Sequence, residues 1–143
     1  MASKLTCESL LLADTVIRDA TNHKLSLIGC FSSLFPAAFP TRVHRFSVVA
    51  FVGDVSAPKI VLTTSVALRG KEREPIATCE LTLERLKMPN PKFFIGGIDA
   101  VFPFENVIFP KAGFYDITLR SGEKTIAKRT ISANSRTAEN PPK

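Results

Sequence analysis

A chain of 143 residues with 45% hydrophobic and 22% charged residues has the composition of one globular domain, which excludes wholesale disorder and a coiled coil. Its net charge of +6 comes from Lys and Arg scattered from one end to the other, so composition indicates a mixed solvated surface and no basic stripe. The apolar run before Glu8 is too short for a signal peptide, and no stretch approaches the roughly 20 apolar residues of a membrane span.

The first half of the sequence predicts a hairpin followed by a central strand. The segments 10–18 and 24–35 are apolar and rich in β-formers, and the turn residues Asp19 to His23 separate them. Pro36 and Pro40 then enforce a connection, because proline cannot continue a sheet ladder. From Val43 to Val52 apolar residues occupy both parities, which is typical of a strand covered on both faces.

The second half continues in strands. In residues 59–69 apolar and polar side chains alternate, as in a strand with one solvent-exposed face, and in 77–84 they alternate more regularly still. Pro103 interrupts the strand 98–109 and favours an edge position for it. The pattern predicts one all-β domain over residues 1–133, an antiparallel β-sandwich of about eight strands with an immunoglobulin-like or related Greek-key topology, and a flexible tail over 134–143.

The last two strands form a predicted hairpin from Gly113 onward. With a two-residue turn at Gly122 and Glu123, Asp116 would lie opposite Arg129 and form an ion pair with it, and Phe114 would contact Ile131. Tyr115, the only Tyr, follows a turn and a glycine, which resembles the tyrosine corner of immunoglobulin-like sandwiches. The structural residues expected here are Gly113, Tyr115, Asp116 and Arg129.

Two separated motifs suggest a family. The early motif is Ala13-Asp-Thr-Val-Ile-Arg-Asp19 with Lys24-Leu-Ser-Leu-Ile-Gly-Cys-Phe31 and Phe39-Pro40, and the late one is Phe109-Pro-x-x-Gly-Phe-Tyr-Asp-Ile. Together they resemble a family of short uncharacterised bacterial proteins with an early Ser-Leu-Ile-Gly-x-Phe and a late Phe-x-x-x-Gly-x-Tyr pattern. The resemblance implies a small β-sandwich and no catalytic activity. Where that family has a glycine in the first turn, this chain has Asn22 and His23, one of which must take any positive φ.

Residues for chemistry are sparse. His23 and His44 lie outside any nucleophile motif, the aspartates are dispersed, and Gly96-Gly97 leads into a strand instead of a helix. We therefore expect no enzyme activity, no cofactor, no metal and no small-molecule substrate. Three widely spaced Cys without a Cys-x-x-Cys pair indicate buried or inert thiols and a cytoplasmic location.

Large apolar residues in two proline-bounded loops are the candidates for partner binding: Phe35, Phe39, Phe93, Phe94 and Ile95. They either cap the core or anchor a protein partner or a second copy of the chain. The sequence favours a non-catalytic interaction or structural module. The alternative is a nucleic-acid or anionic-surface binder that uses the net positive charge, and membrane insertion is not expected.

Overall fold

A computed structural model describes residues 5–53, 59–84 and 97–136. Within these ranges the chain is all-β and contains no helix, hence no helix that could span a membrane. The strands are β1 (Thr6–Arg18), β2 (Leu25–Cys30), β3 (Ser33–Leu34), β4 (Thr41–Gly53), β5 (Lys59–Leu68), β6 (Ala77–Glu84), β7 (Ile98–Phe109), β8 (Gly113–Ser121) and β9 (Lys124–Ala133).

The strands form two packed sheets, which confirms the predicted sandwich. The four-stranded sheet has the order β2-β1-β4-β7, and the five-stranded sheet has the order β3-β9-β8-β5-β6. As predicted, β4 is internal and β7, which contains Pro103, is an edge strand. One pairing departs from the antiparallel expectation: β3, which the sequence analysis merged with β2, pairs parallel with β9 through Ser33 and Leu34.

The core lies between the sheets and is rich in aromatic side chains. Phe46 stacks on Phe104 with 5.1 Å between ring centroids, and Phe109 meets Tyr115 edge-on at 4.9 Å. These rings are almost fully buried, and each excludes a large apolar area from water, so they dominate the packing energy of the core.

The β1–β2 hairpin folds back over the outer face of the four-stranded sheet. Arg18 donates a hydrogen bond to the carbonyl of Asp99 at 3.2 Å. In the sheet, however, Asp99 lies level with Ser9, because both residues pair with Phe51 of β4. Arg18 is nine residues beyond Ser9, so a straight β1 would place it roughly 30 Å away. β1 must therefore bend after Ala13, where its pairing with β4 ends.

The hairpin, folded back in this way, explains why apolar residues on the outward side of the four-stranded sheet are shielded from solvent. Ala13 and Val49 are fully buried yet lie outside the core cluster between the sheets. Val16, Leu25 and Leu27 of the hairpin are half buried. We call the outward side of this sheet, with Ala13 and Val49 at its centre, the covered face.

A glycine permits the bend. Gly29 lies across the hairpin from Asp14 and has φ +70°, a conformation that side chains with a Cβ disfavour. A Cβ at this position would lie 2.5 Å from Oδ2 of Asp14. In the turn of the same hairpin the positive φ falls on His23, at 61°, and the Asp19 carboxylate accepts the backbone N–H groups of Thr21 and Asn22.

Backbone hydrogen bonding continues past Ala133. The N–H of Asn134 donates to Leu34, and the N–H of Arg136 donates to Pro36 at 2.7 Å. Asn134 and Arg136, in the segment predicted as a tail, are thus bonded to the chain around β3, since backbone pairing needs no apolar side chain. The rest of that segment, 137–143, lies outside the described residues.

Candidate functional site: the Phe114 face

Tyr115 lies at the entry to β8 and closes the loop before it. Its hydroxyl donates to the carbonyl of Lys111 at 2.6 Å while its ring is buried in the core. This is the arrangement of a tyrosine corner. Burial raises the pKa of the Tyr115 hydroxyl, and its bond to Lys111 opposes that shift. Gly113, two residues before it, has φ +150°, and a Cβ there would lie 3.3 Å from Leu68.

Asp116, the next residue, points to the opposite side of the sheet and is also buried, with 1% of its surface exposed. Its Oδ1 accepts a hydrogen bond from Thr130 Oγ1 at 2.7 Å and lies 3.4 Å from Nη2 of Arg69. Arg69 also donates to Thr130 Oγ1 at 2.8 Å. Oδ2 lies 3.5 Å from Nζ of Lys128 and, among the described residues, has no hydrogen-bond partner.

The charge of Asp116 is stabilised by these neighbours. Burial alone would raise the pKa of its carboxyl group, but the hydrogen bonds from Thr130 and Arg69 and the positive charges of Lys128 and Arg69 outweigh it, so the pKa is lowered. The carboxylate is therefore ionised at neutral pH. Both cations that neutralise it are about half exposed and lie over it.

Phe114 lies beside this network and is the most exposed large apolar side chain in the described residues, at 54%. The guanidinium of Arg69 lies 5.1 Å from the centre of its ring, within the range of a cation–π contact. The backbone N–H of Arg69 also donates to the carbonyl of Phe114 at 2.9 Å. Asp116 thus positions Arg69, and Arg69 positions the Phe114 ring.

The floor around the ring is made of small side chains. Ala67 pairs with Asp116, Ser65 pairs with Thr118, and all of these are buried although they face away from the core. We define the Phe114 face as the outward side of the five-stranded sheet formed by Ala67, Arg69, Phe114, Asp116, Thr118, Arg120, Lys128 and Thr130.

The predicted pairing of Asp116 with Arg129 is wrong. Ser121 does pair with Lys124, but a bulge between Leu119 and Arg120 shifts the rest of the hairpin by one residue. Asp116 therefore pairs with Thr130 and Phe114 with Ser132, while Ile131 lies opposite Tyr115 in the core.

Arg129 consequently faces inward and has a different role. It lies opposite Ile117, and its Nη1 donates to the carbonyl of Leu10 on β1 at 2.9 Å. The bond joins the two sheets along one side of the sandwich. Because the extra residue of the bulge, Ile126, is not a glycine, the local sequence gave no signal for this shift.

The candidate partner-binding residues have different environments. Phe39 packs against the core, as a capping residue would, whereas Phe35 is 46% exposed. Phe35 follows Ser33 by two residues, and Ser33 pairs with Ser132, the neighbour of Phe114, so both exposed rings belong to the same end of the five-stranded sheet. Phe93, Phe94 and Ile95 lie outside the described residues.

A second surface feature lies at the start of β4. A cavity of about 530 Å³ is lined by Asp14, Thr15, His44, Arg45, Glu105 and Asn106. Asn106 has φ 53°, and near this point β4 and β7 change which side faces the core. No cluster of three metal-ligating side chains is found within the described ranges.

Comparisons with known proteins identify a family and no activity. A model for a family of unknown function, DUF6941, matches residues 8–134, which confirms the expected relation to an uncharacterised family. No curated protein sequence matches the chain.

The solved structures with a similar fold include the following two. An immunoglobulin-like protein from Pseudomonas aeruginosa is 12% identical, with a TM-score of 0.46 over 92% of this chain and 98% of that one. The alkylpurine DNA glycosylase AlkC of Pseudomonas fluorescens, bound to DNA containing an abasic site analogue, is 8% identical, with a TM-score of 0.47 over 92% of this chain and 31% of that one. At these scores neither similarity bears on function.

Proposed function

This chain belongs to the DUF6941 family of unknown function, and we propose that it is a non-catalytic interaction module that binds a protein partner through the Phe114 face. The observation that carries the proposal is the exposed Phe114 ring held by the Asp116–Arg69 network. An exposed aromatic ring with a fixed position loses little conformational entropy when a partner covers it.

The free-energy cost of burying the Asp116 carboxylate supports a role in binding for this network. Burying a carboxylate requires compensation, and here it is compensated by two cations and a threonine on the outer surface of a sheet whose core is complete without them. The network holds Arg69 against Phe114. Aromatic and arginine side chains of this kind are enriched among the residues that contribute most of the energy of protein interfaces.

The charge distribution favours a protein over a nucleic acid. Arg69 and Lys128 lie within 3.5 Å of the single Asp116 carboxylate, so two of the three cations of the Phe114 face are engaged with it and the face, with Arg120, carries a net charge of +2. Nucleic-acid binding derives its affinity from several cations that are available to phosphates. A partner protein with an apolar pocket and a few acidic groups at its rim matches this face better.

A second copy of the same chain is a poorer fit. Stacking two Phe114 faces would bring Arg69, Arg120 and Lys128 of both copies together, and like charges in an interface cost free energy. We therefore expect the partner to be a different protein.

The test is the substitution Phe114→Ser, compared with Ile17→Ser as a matched control. Ile17 is 50% exposed and belongs to the β1–β2 hairpin, over the other sheet. Both variants should fold, with a change in unfolding free energy of less than about 1 kcal/mol, since neither side chain is buried. The measurement is quantitative affinity capture from the native source, followed by a direct binding measurement with the purified partner.

A partner retained by the wild type and by Ile17→Ser but lost by Phe114→Ser supports the proposal. A partner lost equally from both variants, or retained by both, contradicts it. Binding to single-stranded nucleic acid that weakens steeply with salt and requires Phe114 would replace the protein partner with the alternative.

We also place the protein in the cytoplasm. Cys7, Cys30 and Cys79 are free thiols, and Cys30 is exposed, which suits a reducing compartment. Fractionation of the source cells with detection of the native protein tests this placement.

A further inference from the structure

The Phe114 face continues across β9 to a second exposed ring, that of Phe35. Three backbone hydrogen bonds at intervals of two residues join the chain around β3 to the end of β9: the N–H groups of Ser132, Asn134 and Arg136 donate to the carbonyls of Ser32, Leu34 and Pro36. Residues 32–36 are therefore extended alongside β9 and continue the parallel pairing of β3.

Phe35 and Phe114 stand on the same side of the sheet. Phe114 pairs with Ser132, and the hydroxyl of Ser132 is bonded to that of Ser33 at 2.9 Å, so both serines share the outward side with Phe114. Leu34 packs against the core. Because side chains alternate along a strand, Phe35 points outward again, and 46% of it is exposed.

The register gives the separation of the two rings. The path from Phe114 to Phe35 crosses two strand spacings, from β8 over β9 to β3, and advances two residues along the chain from Ser33. With a spacing of about 4.8 Å and a rise of about 3.3 Å per residue, the two Cα atoms lie about 12 Å apart.

The Ser33–Ser132 pair lies between the rings. The two hydroxyls share one of their protons, which leaves the other for donation to an acceptor above the sheet. A segment in extended conformation has backbone carbonyls that can accept this bond, whereas the carbonyls inside a helix are already used.

An arginine accompanies each ring. The guanidinium of Arg69 lies 5.1 Å from the centre of the Phe114 ring, and Arg136, which is exposed, is bonded through its backbone to the residue after Phe35. Arg136 adds a positive charge to the net charge of the Phe114 face. Glu72, whose pKa is affected by Lys128, removes one charge and leaves the sum positive. The surface around both rings is thus complementary to acidic residues.

We propose that the partner covers this surface with an extended acidic segment in which two apolar residues, four positions apart, pack against Phe114 and Phe35. Four residues of extended chain span about 13 Å, which matches the separation of the rings. Acidic residues beside the apolar ones contact Arg69 and Arg136, and a backbone carbonyl between them accepts the serine proton.

This inference rests on the proposed function and names the segment that the partner uses. Such a segment surrounds each ring with apolar groups and places carboxylates at their rim. The chain's own residues 137–143 contain no leucine, isoleucine, valine, methionine or aromatic residue, so they do not supply the two apolar contacts.

The probe is a fluorescent synthetic peptide in which two leucines, four positions apart, are flanked and separated by glutamates, whose repulsion keeps the peptide extended. A peptide of the same composition and charge with adjacent leucines tests the spacing, and a fluorescent oligothymidylate tests the nucleic-acid alternative. The protein variants are Phe35→Ser and Phe114→Ser, with Ile17→Ser, of similar exposure on the other sheet, as control. Affinity is measured by fluorescence anisotropy, and urea denaturation verifies that each variant is folded.

The spaced peptide should bind the wild type and Ile17→Ser equally, and bind Phe35→Ser and Phe114→Ser at least tenfold more weakly. The peptide with adjacent leucines should bind the wild type at least tenfold more weakly than the spaced one. The inference is overturned by equal affinity of the two peptides, by unchanged affinity of Phe35→Ser, by tighter binding of the oligothymidylate, or by no binding of the spaced peptide at millimolar concentration.

The proposed function is decided separately, by whether Phe114→Ser loses the partner captured by the wild type. A captured partner that requires Phe114 but binds Phe35→Ser with unchanged affinity leaves the proposed function standing and removes this inference.

Discussion

The two outward faces of the sandwich are treated in opposite ways. The four-stranded sheet carries apolar residues outward at Ala13 and Val49, and the chain covers them with its own β1–β2 hairpin, secured by Arg18 on Asp99. The five-stranded sheet carries small and charged residues outward and leaves them open, with Phe114 exposed at their edge.

The difference separates the apolar residues that stabilise the fold from the apolar residue that is exposed to solvent. On the covered face, apolar residues belong to a second small core, and exposing them would cost stability. On the Phe114 face, Phe114 is held by a charged network, and its exposure costs the monomer little. A surface of the second kind is available for binding.

The substitution with the largest expected effect on this comparison is Val49→Asp. A carboxylate at a fully buried apolar position should destabilise the protein by more than about 3 kcal/mol, and the hairpin should lift from the sheet. The matched control is Val61→Asp, on β5 of the other sheet, where Val61 is 37% exposed and the change should be about 0.5 kcal/mol or less. Urea denaturation of both variants measures the difference, and equal losses would contradict the assignment of the covered face.

The covered face could be anticipated in part from sequence. Apolar residues of both parities in 43–52 predict a strand covered on both sides, and β4 is such a strand. The identity of the cover could not be predicted, because the bend after Ala13 depends on a glycine across the hairpin and on a contact with Asp99, which is distant in sequence.

The Phe114 face shows a similar division. The position of Tyr115 after a turn and a glycine predicted its corner correctly. The partners of Asp116 were missed, because a single extra residue in β9 exchanges which side chains lie opposite one another. Arg69 comes from a strand far away in sequence, and no local pattern indicates that it meets Phe114.

A smaller effect is expected from Asp116→Ala. It removes the hydrogen bond from Thr130 and leaves Arg69 and Lys128 facing each other, so we expect a loss of about 2 kcal/mol in unfolding free energy. Asp99→Ala, at an exposed carboxylate on β7, is the control and should change stability little. The Phe114 ring should also become less ordered, which NMR line widths measure, and partner binding should weaken with it.

The smallest effect is the pH dependence that Asp116 contributes. Its pKa is lower in the folded protein than in the unfolded chain, where an aspartate titrates near about 3.9. Its stabilisation is therefore fully present above the unfolded pKa and is lost as the pH falls through the folded pKa.

The difference in unfolding free energy between the wild type and Asp116→Asn should shrink as the pH is lowered from about 5 toward 2. Asp19, whose carboxylate accepts backbone N–H groups and also has a lowered pKa, contributes equally to both proteins and cancels in the difference. Glu72 also has a lowered pKa through backbone N–H groups, but the charge of Asp116 raises it, so the contribution of Glu72 is part of the difference. A constant difference over this range would show that Asp116 is not stabilised in its charged form.

The bond from Arg18 to Asp99 also constrains the order in which the protein assembles. The surface on which the β1–β2 hairpin docks is made by β4 and β7, and the bond closes a separation of 81 residues. The hairpin can form early from local contacts, but it has nothing to dock on until β7 has joined β4. In the native state the same dependence allows the hairpin to open alone, so amides in 16–27 should exchange through a partial unfolding that leaves the β1–β4 and β4–β7 pairings and the five-stranded sheet intact.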